Sequence, residues 1–132
     1  MDEKGIDIKL GRRMLSTGEL TMVVRLNKKY TRYRDLTFGQ RYVVIGIEAD
    51  HFRILNNAGN PFLYPPGLFQ LVDAREPEDW VTEFGEEGER YAYPPPLNTS
   101  GFFEDFFDRK AKAVSTFWCV LNRRLVDATE VA

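Results

Sequence analysis

A chain of 132 residues with 43% hydrophobic and 14% aromatic side chains is long enough to bury one core and too apolar for disorder. One cysteine excludes an internal disulfide, and one histidine excludes a multi-histidine metal site or a relay of two histidines. The net charge of −2 conceals a segregation: residues 1–56 carry eleven basic against seven acidic residues, 57–108 two against eleven, and the remainder five against two. Such a distribution marks a polar contact surface or draws one part of the chain onto another.

The start, MDEKGIDIK, offers no apolar run for a secretory signal or a membrane span, so a reducing cytoplasm is the expected location. Residues 1–18 read as an arm or a short edge strand. Glu19 to Leu26, ELTMVVRL, is rich in β-branched residues and predicts the first strand, followed by the basic, aromatic loop NKKYTRYRD. In the next strand, RYVVIGIE, simple alternation places Tyr42, Val44 and Gly46 on one face and Val43, Ile45 and Ile47 on the other, with Gly46 marking a bend or bulge. HFRILNN and PFLYP flank Asn57-Ala58-Gly59-Asn60, a hairpin turn. Tyr64-Pro65-Pro66-Gly67-Leu68-Phe69 interrupts the ladder, because proline has no backbone donor, and predicts one helical turn before the strand QLV.

Residues 74–99 read as an acidic connector, a second hairpin (DWVTEF and ERYAY around GEEG) and a stiff extended spacer at Pro94-Pro95-Pro96, with a short helix over PEDWVTEF as the alternative. Residues 100–126 read as helical. Ser100 is the expected cap of a helix carrying Phe102, Phe103, Phe106 and Phe107, with Glu104 and Asp105 at its positive end. Asp108 is the expected cap of a second helix with Val114, Phe117, Trp118, Leu121 and Leu125 on one stripe, Cys119 as a buried inert thiol, and Arg123 and Arg124 near its end. That stripe is expected to cover the β structure. Residues 127–132 form a tail.

Leu36 to Val72 thus packs strand, turn, strand, turn, strand, proline corner and strand into little sequence, the look of a small, strongly bent barrel. Leu36, Thr37, Gly39, Tyr42, Gly59, Tyr64, Pro65 and Phe69 give a pattern that resembles a group of small bacterial and phage proteins with an SH3-like barrel. The resemblance covers the central third of the chain. It implies an α+β, mainly β fold: an SH3-like barrel over residues 19–73, an extra hairpin and a C-terminal helical extension. The Ala-Leu-Tyr-Asp-Tyr segment and Trp-Trp pair of proline-peptide-binding SH3 domains are absent.

No catalytic pattern, metal site or cofactor motif stands out, and an enzyme is the least expected class. Non-enzymatic binding of another protein is the leading expectation. Tyr64, Pro65, Pro66 and Phe69 are candidates for a peptide groove, against a core role for Tyr64 and Phe69, which takes precedence. Glu83, Glu86, Glu87 and Glu89 are candidates for contacting a basic partner, as an inhibitor or immunity-type protein does, against a solvated hairpin tip. Lys28, Lys29, Tyr30, Arg32, Tyr33 and Arg34 are the nucleic-acid candidates, with cations for phosphates and rings for stacking, against a solvated loop or pairing with the acidic middle of the chain. His51 is expected to be structural or exposed.

Overall fold

Apolar alternation sets the first strands of the computed structural model, which describes residues 21–131. β1 (Val23–Leu26) turns Val24 and Leu26 inward, and β2 (Arg41–Glu48) begins with Tyr42 and Val44 on the same side. β3 (His51–Leu55) and β4 (Pro61–Tyr64) form the hairpin expected around Gly59, whose φ of 82° suits a residue without a side chain. The buried Asn56 organises that turn: its Oδ1 accepts the amides of Ala58 and Asn60. A 3-10 turn, Pro66–Leu68, supplies the single helical turn before β5 (Phe69–Asp73). β6 (Val81–Phe84) and β7 (Arg90–Tyr93) form the second hairpin, so the helical alternative for that segment fails.

The strands are antiparallel and ordered β4-β3-β2-β1-β5, with β6 joined through β7 to β2. β2 is shared: β1 pairs along Arg41 to Val43, β7 at Ile47, and β3 along Val44 to Glu48. The architecture is α+β and mainly β. The closed barrel expected for Leu36 to Val72 gives way to an open sheet, since no ladder joins β4 to β5 among the described residues. The 3-10 turn at the prolines separates the two strands, and β5 pairs with β1 instead.

A bulge corrects the alternation expected along β2. The register with β3 shifts between Val44 and Gly46, so Val44 opposes Ile54 but Ile47 opposes Phe52. One extra residue inverts every later side chain. The core therefore takes Tyr42, Val44 and then Ile47, together with Met22, Val24, Leu26, Leu36, Phe52, Ile54, Tyr64 and Ala92. Gly46 faces the other way, against the Tyr93 ring, and a Cβ at this position would collide with that ring. On this face Arg53, 4% exposed, donates to Tyr93 Oη (2.7 Å), Pro61 O (2.8 Å) and Glu48 Oε1 (2.6 Å), while Tyr93 Oη donates to Glu48 (2.8 Å). The guanidinium is thus satisfied where it is buried, and β7 is fixed to β2 and β3 by side chains as well as backbone.

The chain divides into two compact units: Thr21–Glu76 with Trp80–Pro94, and a second that contains Pro77–Asp79 and the chain from Pro95 onward. In the second, the extended spacer expected at the prolines is instead a 3-10 turn, Pro95–Leu97, with Leu97 buried. α1 (Phe102–Phe107) starts at Gly101 in the left-handed conformation, not at a Ser100 side-chain cap. Asp108 ends α1 rather than capping the next helix. Lys110 N–H reaches Asp105 O and Arg109 N–H reaches Phe106 O, closing a Schellman motif with Arg109 at φ 63°. α2 (Ala111–Val131) buries Ala113, Phe117 and Leu121 at four-residue spacing, with Val114 and Trp118 half-buried; Leu125 and Arg124 lie outside the described side chains. Cys119, expected to be buried, is exposed, because it falls two residues after Phe117, on the opposite side of the helix. The helix runs well past Arg123, which therefore does not sit at its end.

Candidate functional site

The peptide-groove candidates separate. Tyr64 is 1% exposed, packs edge-on against Tyr33 (5.3 Å between centroids), and donates its hydroxyl to Asp35 Oδ2 (2.8 Å). Phe69 is half-buried against the core beside Phe52. Pro65 is half-buried and Pro66 exposed in the 3-10 turn. Two of the four are thus core side chains, and the corner presents prolines without an accompanying aromatic from this set.

The acidic candidates gather at one end of the β unit. The turn between β2 and β3 is made by Ala49 and Asp50, both at positive φ, and Asp50 is bonded twice to β7: its backbone N–H donates to Arg90 O, and its side-chain Oδ1 accepts Arg90 N–H. This ties the β6–β7 hairpin beside that turn. Arg90 is spent on Glu76, which accepts both guanidinium nitrogens. At the tip, Glu89 folds over Gly85 and accepts the Glu87 amide, so its carboxylate closes the turn. Glu83, Glu86 and Glu87 remain exposed, together with Phe84, which is 68% exposed. All four β6 residues are exposed, and β6 pairs with β7 alone among the described residues. An edge strand with an exposed ring and three uncommitted carboxylates can accept an extended, basic segment. Composition pointed to the glutamates; Phe84 was missed because an aromatic in an alternating strand reads as core.

The basic candidates gather at the other end. Loop 27–40 is pinned at its base: Asn27 N–H donates to Leu68 O, Asn57 N–H to Asp35 O, and Thr37 N–H to Tyr42 Oη, which donates in turn to Asn57 Oδ1. Tyr33 is drawn inward by Tyr64. Lys28, Lys29, Arg32 and Arg34 stay exposed, as does Tyr30 at 88% and Phe38 at 53%. Lys29 lies over the Tyr30 ring at 5.9 Å and Arg32 over Tyr33 at 5.4 Å. The alternative in which these cations pair with the acidic middle is not seen: none of them makes an ion pair among the described residues.

His51 is exposed, with Nδ1 at 3.0 Å from Ala49 O, and no group of three metal-ligating side chains occurs among the described residues. No helix among them is long and apolar enough to cross a membrane. In comparisons with known proteins, no family model, curated protein or solved structure matches the chain.

Proposed function

We propose that the β unit is an SH3-like, incompletely closed barrel that works as a non-enzymatic protein-binding module, with the outer edge of β6 as its contact surface. The strand order β4-β3-β2-β1-β5, one 3-10 turn between β4 and β5, and the shared, bulged β2 support the architectural part. The observation that carries the functional part is β6 itself: an edge strand with every side chain exposed, Phe84 at its end, and Glu83, Glu86 and Glu87 around it. The partner is an extended segment that adds a strand to β6, bonding through its backbone and setting lysine or arginine against the carboxylates. Blocking a basic partner's own anion site is the inhibitory form of the same contact.

The test is selection of a displayed library of short random peptides on the full chain. Enriched peptides are expected to alternate basic and apolar residues. Phe84→Ala should weaken them by about 1–2 kcal/mol, as for a central interface aromatic, and the triple change Glu83→Lys, Glu86→Lys, Glu87→Lys should abolish capture. Peptides that bind this triple variant as well as the parent would remove β6 as the contact surface.

A further inference from the structure

We infer that the opposite end of the β unit holds a second, separate site, for single-stranded nucleic acid, built from loop 27–40 and a cross-strand pair of arginines. Arg25 and Arg41 are direct partners in the β1–β2 ladder. Their neighbours Val24, Leu26 and Tyr42 point into the core, so both arginines lie on the outer face. Like charges directly opposite in a ladder repel. Here the pair is relieved by no carboxylate: Arg25 donates to the Gln70 amide oxygen at 2.7 Å, and neither arginine makes an ion pair among the described residues.

The loop that joins these strands adds Lys28, Lys29, Arg32 and Arg34, and the one acid within it, Asp35, makes an ion pair with none of them. Asp35 turns inward, its Oδ2 accepting Tyr64 Oη and Asn56 Nδ2, while its Oδ1 is buried. Six cations therefore share one end of the unit, and none of them makes an ion pair among the described residues, on a protein whose total charge is negative. Lone cations would bind any anion. The base-reading element is the pair of exposed rings, Tyr30 and Phe38, on the same loop: they are free to stack because Tyr33 alone serves the core. Exposed rings interleaved with cations suit unpaired bases on a phosphodiester strand, whereas a duplex offers its bases only edge-on.

The experiment is fluorescence anisotropy of the full chain with labelled uridine and deoxyuridine oligonucleotides of about twelve nucleotides, a duplex of the same length, and heparin as a polyanion without bases. Both single strands should bind at low salt, more tightly than the duplex. Contact with three phosphates would weaken binding roughly 20-fold between about 50 and about 200 mM salt. Tighter binding of the uridine strand assigns a 2′-hydroxyl contact; equal binding assigns recognition to phosphates and base faces alone. Arg25→Gln with Arg41→Gln should lower affinity and flatten the salt dependence, and Tyr30→Ala should cost at least about fivefold on single strands and nothing on heparin. Changing Glu86 and Glu87 to Gln should leave every curve in place, which separates this site from the β6 surface. No binding at low salt, a duplex bound as well as a single strand, or a Tyr30→Ala variant indistinguishable from the parent would overturn the proposal.

Discussion

Tyr64 shows how one side chain can be claimed by two roles and kept by one. Its ring closes the core against Tyr33, and its hydroxyl donates to Asp35 and accepts from Asn56 Nδ2 at 3.0 Å. Burial pushes the Tyr64 phenol well above the ordinary tyrosine range; the Asn56 amide opposes this and the Asp35 carboxylate adds to it. Tyr93 is raised in the same direction, again chiefly by burial. A group whose folded pKa is raised contributes stability in full below its unfolded value, about 10 for tyrosine, and loses it as pH rises further. On the alkaline side, urea midpoints should therefore hold from neutral pH to about pH 10 and then fall. Tyr64→Phe should cost about 1–3 kcal/mol at neutral pH, because Asp35 and Asn56 lose a buried partner, and should make the alkaline fall shallower. A fall as steep as the parent's would show that Tyr64 does not drive it.

At the scale of elements, two joints decide the structure. The first is the contact of β7 with β2, possible only because Gly46 leaves room for the Tyr93 ring. Gly46→Ala puts a methyl group into that ring and against Ala92 O; the expected loss is at least about 1–3 kcal/mol in urea unfolding, with weakened hydrogen-exchange protection at Ala92. Unchanged protection would mean that the ring moves aside freely. The second joint is the end of α1, where Arg109 occupies the left-handed position that glycine fills most cheaply. Arg109→Gly should raise stability by about 0.5–1 kcal/mol, read as a higher thermal midpoint, since the relieved strain exceeds the entropy that glycine adds to the unfolded chain.

For the molecule as a whole, charge follows topology. β2 is eight residues long, about 27 Å if fully extended. The basic loop enters at its start, and the acidic hairpin is tied beside the turn at its end. The segregation along the sequence thus becomes a segregation in space within the β unit, and the two ends offer surfaces of opposite sign. Internal ion pairs consume Glu48 with Arg53, Asp73 with Arg75 and Glu76 with Arg90, leaving the loop cations and the tip glutamates outside that pairing.

Strand positions, both hairpin turns, the 3-10 turn at the prolines and the helical end of the chain were legible from residue order, because alternation, turn chemistry and helical spacing act over a few neighbours. The bulge was half legible: Gly46 announced it, but the reversal of faces from Ile47 onward is seen only when Phe52 lies opposite. Likewise, the sequence placed the charges in blocks, yet only the tertiary structure turned Asp35 inward, left the loop cations without a carboxylate partner among the described residues, set Arg25 against Arg41, and exposed Phe84. Those outcomes depend on which distant residues meet, and a side chain's local pattern carries no record of its partner across the sheet.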